Sequence, residues 1–298
     1  VGSYDTNIWA LKMDTGEFVW KFPTRGGIAS SPVVDNDNRL VLFGSEDYSF
    51  TAVDANSGRI SWSYPTKDKI RGTARVAHGH VFFGSDDGRL YALVVANGRY
   101  LWEYDTGAPV RSRPFVTNDI VIVGSESGEI IGLELSGKRK WAYRTKKNVT
   151  SSPYVDMLEG ICYVGSADGY LYAIDAASGF SSWRYRTSGP VYSSPVVEDG
   201  ICYFGSADGT LYAINAQTSR DKWKFETGGP IVSSPVVQKG AVYVGNNNGI
   251  LYCIDAATGK ERWKFTTQGG IPSAPFIADN TILVGSMDKT LYAFPLVG

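Results

Sequence analysis

GSADGYLYAIDAASGFSSWRY, residues 165–185, returns along the whole chain at a spacing of about forty residues. The Gly that opens each copy falls at Gly2, Gly44, Gly84, Gly124, Gly165, Gly205, Gly245 and Gly285, in steps of 42, 40, 40, 41, 40, 40 and 40 residues. Ser follows it everywhere except at Asn246. A unit of this size cannot bury its own apolar face, so copies must pack on one another, and the chain reads as a repeat protein.

Within a copy the apolar residues alternate or cluster in short runs, which predicts strands rather than helices. Four runs appear per copy, for example SSPVV (Ser233 to Val237), AVYVG (Ala241 to Gly245), ILYCID (Ile250 to Asp255) and RWKF (Arg262 to Phe265). Asp87-Gly88, Asp168-Gly169, Asp208-Gly209 and Asn248-Gly249 separate second from third strands, and such dipeptides accept the positive φ of tight hairpins. Turns such as Asp175 to Gly179 and Asp255 to Gly259 separate third from fourth, with Asp or Ser free to bond nearby amides. Each copy is therefore a four-stranded antiparallel meander. Repeated meanders bury their faces best in a radial array without long unpaired edges, so the expected fold is an all-β β-propeller, a single domain over residues 1–298. Eight blades with an incomplete first and last fit the period. The alternative is seven blades, closed by an N-terminal outer strand from Glu17 to Phe22.

Composition narrows the function. With 29 basic and 30 acidic residues, net charge favours neither nucleic acid nor membrane surfaces. No apolar run approaches the roughly 20 residues of a membrane span, so no direct membrane insertion is expected. No signal peptide is read, and a start at Val1 suggests processing or excision. Cys162 and Cys202 hold one repeat position and Cys253 replaces the Ala of LYAI, which predicts buried hydrophobes rather than redox groups. His78 and His80 alternate in AHGHVFFG and are expected to share a strand face, too few for a zinc site. Neither a phosphate loop nor a nucleophile elbow occurs. The lone sequon Asn148-Val-Thr150 matters only in a glycosylating host.

Ala173 to Trp183, AIDAASGFSSW, resembles the tryptophan-docking motif of pyrroloquinoline quinone (PQQ) type propeller repeats: an Ala, an Asp or Asn, a Thr/Ser-Gly turn, and a Trp ten residues after the Ala. Ala52 to Trp62 and Cys253 to Trp263 keep that spacing. Ala213 to Trp223 keeps it with Ser219 for Gly, and Gly132 to Trp141 is one residue short. The resemblance covers the chain and implies that Trp20, Trp62, Trp102, Trp141, Trp183, Trp223 and Trp263 lie between blades, with each indole N-H on a backbone carbonyl. Enzymes of this repeat type bind PQQ with a metal ion, and many carry two adjacent Cys, a pair missing here. The Asp of GSADG recurs in nearly every copy, which marks it as hairpin chemistry rather than a metal ligand. No catalytic, cofactor or metal residue is assigned.

The informative departures lie where an outer strand crosses to the next inner strand. Arg25, Lys67, Lys69, Arg71, Arg111, Arg113, Lys146 and Lys147 crowd this segment in four successive copies, against Asp68 alone. Since such crossings share one end of a propeller, a basic arc is expected on one rim. Arg71 and Arg111 take the position of Tyr192 and Val232 elsewhere, so these residues should approach the channel. Converging cations concentrate a field, and Arg grips carboxylates bidentately, which points to an acidic protein segment or a small anion. The expectation is a non-catalytic, monomeric scaffold for protein-protein interaction. The resemblance extends to propellers of outer-membrane assembly lipoproteins and of sensor domains of bacterial Ser/Thr kinases, which implies a periplasmic, cell-surface or extracellular location. A small-ligand or quinoprotein-like protein, with PQQ and calcium in the channel, is the alternative.

Overall fold

The computed structural model describes residues 1–296, and among them the regular elements are all strands. The chain divides into two compact units, Val1–Arg144 and Thr145–Gly298. The first opens with a two-stranded sheet of β1 (Asn7–Leu11) and β2 (Phe18–Pro23). A four-stranded blade follows, from β3 (Val33–Asp35), β4 (Leu40–Gly44), β5 (Ser49–Asp54) and β6 (Ile60–Pro65). The next holds β7 (Arg75–Ala77), β8 (His80–Gly84), β9 (Arg89–Val94) and β10 (Tyr100–Asp105). The last holds β11 (Phe115–Val116), β12 (Val121–Gly124), β13 (Glu129–Leu133) and β14 (Arg139–Arg144).

The second unit repeats the pattern with β15 (Tyr154–Asp156), β16 (Ile161–Ser166), β17 (Tyr170–Asp175) and β18 (Ser181–Arg186). Then come β19 (Val196–Glu198), β20 (Ile201–Gly205), β21 (Thr210–Asn215) and β22 (Asp221–Glu226). A third blade has β23 (Val236–Gln238), β24 (Ala241–Gly245), β25 (Ile250–Asp255) and β26 (Glu261–Thr266). A three-stranded sheet of β27 (Phe276–Ala278), β28 (Thr281–Gly285) and β29 (Leu291–Pro295) ends the series.

All blades are antiparallel meanders of a β-propeller. Among the described residues sheets of three or four strands number seven, so the expectation of eight blades is corrected to the alternative count, and the first repeat contributes only the two-stranded β1-β2 sheet. The strand at Glu17–Phe22 takes β1 as its registered partner, Ala10 opposite Trp20, because the tight Lys12–Glu17 turn folds it back there.

First strands start later than the sequence suggests, at Val236 rather than Ser233 in the example above. Pro235 has no N-H to give a ladder. Ser233 uses its side chain instead: Oγ donates to Gly245 O at 2.8 Å and accepts from Gly245 N at 3.1 Å. Ser30 on Gly44 and Ser112 on Gly124 make the same pair of bonds.

The repeating Gly is required by close approach, not by a turn. A Cβ on Gly44, Gly84, Gly165, Gly205 or Gly245 would lie 2.1–2.5 Å from a side-chain atom of Ile70, Val110, Val191, Ile231 or Ile271. Each of these apolar residues follows the crossing and is fully buried. Middle strands are buried on both faces, since sheets pack face to face within each unit. Leu42, Phe50 and Ala52 meet Val81, Phe83 and Tyr91 in the first, and Tyr163, Leu171 and Ala173 meet Phe204, Tyr212 and Ile214 in the second. Cys162, Cys202 and Cys253 are free and buried as expected, and burial pushes the Cys162 and Cys202 thiols up.

Indoles tie neighbouring sheets. In the first unit Trp20, Trp62 and Trp102 donate from Nε1 to the carbonyls of Ala55, Val95 and Leu135 at 2.8, 2.9 and 2.8 Å. In the second, Trp183 and Trp223 donate to Ala216 and Ala256 at 3.1 and 2.9 Å. Four of these rings, Trp20, Trp62, Trp102 and Trp223, cover a turn whose Gly has positive φ, as Trp62 covers Gly98 at φ 69°. Ser219 replaces that Gly and still adopts φ 55°. A side chain in the left-handed region is strained, so Ser219→Gly is expected to raise stability by about 0.5–1 kcal/mol in denaturant melts. Equal or lower stability would show that the turn tolerates Ser without strain.

One local expectation is corrected. His78 does not share a strand face with His80: it occupies the β7-β8 turn at φ 53°, its Nε2 3.0 Å from Thr117 O, while His80 begins β8. The short link between those strands forces a left-handed residue there, which breaks the alternation.

Candidate protein-interaction rim

The segments that cross from outer to inner strands are shaped by a shared set of bonds. A Thr opens each: Thr106 Oγ1 lies 2.9 Å from Gly88 O and 2.8 Å from Ala108 O. The hairpin Asp of the following blade then clamps the segment. Asp87 Oδ2 accepts from Lys67 N at 3.0 Å and from Tyr91 OH at 2.7 Å, while Oδ1 accepts from Arg89 N at 3.1 Å. Asp168 does the same for Lys146 N, Tyr170 N and Tyr172 OH at 2.9, 3.1 and 2.8 Å. These carboxylates link blade to blade, beyond the hairpin role read from the sequence. Burial, and after it the hydroxyl bond to Asp87, also pushes the Tyr91 phenol up, keeping it neutral.

Clamping the backbone sends alternate side chains outward. In the first unit Arg25 and Lys67 are exposed, and in the second Lys146 and Lys147 are exposed. Arg71, Arg111 and Lys69 have a different fate. Arg71 Nε donates to Glu46 Oε1 at 2.8 Å and Nη1 to Asp86 Oδ2 at 2.8 Å. Arg111 Nε donates to Asp86 Oδ1 at 2.8 Å, Nη2 to Asp86 Oδ2 at 3.1 Å, and Nη1 reaches Glu126 Oε1 at 3.0 Å. Lys69 Nζ lies 3.7 Å from Glu46 Oε2. The result is an alternating chain, Glu46-Arg71-Asp86-Arg111-Glu126, with Asp86 as its hub at 7% side-chain exposure.

Counting Asp68 alone against the cations therefore understates the acids on this face. Glu46, Asp86 and Glu126 stand two residues after Gly44, Gly84 and Gly124, where later copies have Ala167, Ala207, Asn247 and Met287. Arg71 and Arg111 are likewise absent from the later copies, replaced by Thr150, Tyr192, Val232 and Pro272. The paired departure of acid and base across copies was the signal available in the sequence.

The hydrogen bond from Arg71 holds the Glu46 carboxyl below its ordinary 4.5, with burial opposing. Glu46 in turn raises Arg71, and Asp86 raises Arg111. A carboxyl lowered in the folded state adds stability above its unfolded pKa, and that stability is lost as pH falls through the folded value. Glu46→Gln is thus expected to flatten stability against pH just below 4.5 without changing its slope near neutrality. An identical acid limb in wild type and variant would contradict the pairing.

Arg113 stands in β7's neighbouring inner segment, where Ser152, Ser194 and Ser234 stand in later copies. Its side chain is exposed, yet surrounding protein and the nearby Arg75 draw its pKa down. Arg75, which sequence reading passed over, lies with its guanidinium carbon 5.6 Å from the Phe115 ring centre. Tyr192 is 36% exposed at the crossing into β19, whereas Val232 is half-buried. Among the described residues no three His, Cys, Asp or Glu side chains group as metal ligands.

Meanders tied by indoles over Asp-capped turns define a β-propeller of the PQQ-like repeat type. The chain belongs to the family described as outer membrane protein assembly factor BamB, whose profile matches residues 1–75, 65–157, 148–234 and 226–295. No curated protein matched it. Among solved structures, the crystal structure of BamB from Moraxella catarrhalis superposes with a TM-score of 0.86 at 18% identity, over 99% of this chain and 92% of that one. The computationally designed protein Ika8 superposes with a TM-score of 0.88 at 18% identity and the same coverage, so the likeness carries the fold and not a partner.

Proposed function

We propose that this chain is a non-catalytic, extracytoplasmic scaffold of the outer-membrane assembly type, which engages an acidic segment of a protein partner at its rim without PQQ or metal. Family membership supports the class of activity. The rim reading rests on one observation: the cations of the crossing segments divide into paired arginines and outward-facing residues. Arg71, Arg111 and Lys69 are met by Glu46, Asp86 and Glu126, so a ligand would have to displace protein carboxylates to use them. Arg25, Lys67, Lys146 and Lys147 expose their charge and would steer an acidic partner. The hairpin carboxylates Asp87 and Asp168 are occupied by backbone N-H and Tyr hydroxyl donors.

The test is association of the chain with purified outer-membrane assembly machinery from a Gram-negative bacterium, followed by surface plasmon resonance. Reversing Arg25, Lys67, Lys146 and Lys147 to Glu should slow association about tenfold at low salt and flatten its salt dependence. An unchanged association rate would remove the rim from the interface, and no association of the parent chain would remove the assembly reading itself.

A further inference from the structure

In the second unit the blade that opens with β15 departs from its copies at two turns that share one end, opposite the crossing segments. The β15-β16 turn carries Met157 and Leu158, exposed at 63% and 96%, and the β17-β18 turn carries Phe180, exposed at 77%. The two turns are neighbours. Ala176 N in the second donates to Gly160 O in the first at 2.9 Å, and Asp175 N donates to Phe180 O at 2.8 Å, so the three side chains stand on a backbone held by its own bonds.

Neither departure is required by the fold. The β3-β4 turn has the same length, from Asp35 to Leu40 against Asp156 to Ile161, and fills its middle with Asn36, Asp37 and Asn38. The opening Asp shapes both: Asp35 Oδ2 accepts from Asn38 N at 3.3 Å, and Asp156 Oδ1 from Leu158 N at 2.9 Å. After the second turn, the other four-stranded blades carry Arg59, Arg99, Lys138, Arg220 and Lys260 where this one has Phe180. Apolar side chains gathered in water at adjacent turns mark a contact surface. The charges beside them are mostly of one sign. Asp156, Glu159 and Asp175 belong to these turns, and Glu198 and Asp199 to the β19-β20 turn of the next blade, against Arg220. Burial raises the Tyr154 and Tyr163 phenols, and after burial Asp156 raises both, with Glu198 acting on the first and Glu159 on the second, so these acids converge.

We propose that this patch docks a partner-protein segment in which apolar side chains are flanked by Lys or Arg, the apolar groups meeting Leu158 and Phe180 and the cations meeting Glu159 and Glu198. The same acids would repel an anionic lipid surface. The patch shares no residue with the crossing segments, so its failure would leave the rim reading intact.

The experiment is selection of random short peptides displayed on phage against the immobilised chain, followed by calorimetric titration of the enriched sequences as synthetic peptides. Those peptides are expected to combine aromatic or aliphatic residues with Lys or Arg. The triple variant Met157→Asn, Leu158→Asp, Phe180→Arg writes the residues of other copies into exposed positions, so it should keep the melting temperature while weakening the peptides at least about tenfold. Glu159→Lys with Glu198→Lys should weaken them about tenfold at low salt, a difference that shrinks as salt is raised. No enrichment, enrichment of acidic peptides, or binding indifferent to both variants would overturn the proposal. A dimer of the chain that the triple variant converts to monomer would overturn it in favour of a second copy as occupant. Binding to vesicles of anionic phospholipid that the triple variant abolishes would overturn it in favour of a membrane surface.

Discussion

Trp62→Ala is expected to lower the unfolding free energy by about 3–5 kcal/mol, the range for large aromatic truncations. The indole covers the Gly98 turn so closely that a Cβ there would lie 2.6 Å from the ring, and it packs 6.1 Å from the Phe50 ring. It also donates to Val95 O at 2.9 Å, so truncation opens a cavity between two sheets and strands a carbonyl. Trp62→Phe separates these effects. It keeps most of the contact and loses the hydrogen bond, for an expected cost of about 1–2 kcal/mol. Equilibrium urea unfolding measures both. A loss below about 1 kcal/mol for the alanine variant would mean that the indoles do not bind sheet to sheet.

Gly205→Val is expected to cost at least about 3 kcal/mol, from overpacking at a site that cannot relax. The added Cβ would lie 2.2 Å from Cγ2 of Ile231, which is fully buried on the segment entering the next blade. Shortening that neighbour tests the cause. In a double-mutant cycle Ile231→Ala should recover about 1–3 kcal/mol relative to the sum of the single changes, because the shorter side chain relieves the clash and the added Val fills part of the space it leaves. Additive effects would place the origin of the invariant Gly elsewhere. The same contact recurs at Gly44 with Ile70 and at Gly245 with Ile271, so the forty-residue period is set by a packing constraint.

That constraint explains why the fold was legible. A Gly that must admit a buried Ile or Val, an Asp that must clamp a crossing, and a Trp that must cover a turn reappear at a fixed spacing whatever lies between them. Strand starts were less legible, since Ser233 satisfies Gly245 through its side chain and a hydroxyl can imitate a ladder without a strand. His78 was misplaced for a related reason: alternation along a sequence does not reveal a left-handed turn residue. On the rim the cations were visible and their partners were not. Glu46 and Arg71 are separated by 25 residues, as are Asp86 and Arg111, and only the packing of one blade on the next brings them within 2.8 Å. Comparing the copies position by position ties the acids to the arginines, because both vanish together after the third blade of the first unit. What such a comparison yields is the stabilising network. The outward Lys67 and Lys146 become distinct only once the bonds to Asp87 and Asp168 show which way their backbone is held.

Under the proposed function the recurring Gly, Asp and Trp of this chain hold blades together, and its surface engages proteins in place of a cofactor. A calorimetric titration of the chain with PQQ in the presence of calcium tests it most directly. The account predicts heats of dilution alone, with no change in intrinsic tryptophan fluorescence. Saturable binding of one PQQ per chain, dependent on calcium, would contradict it.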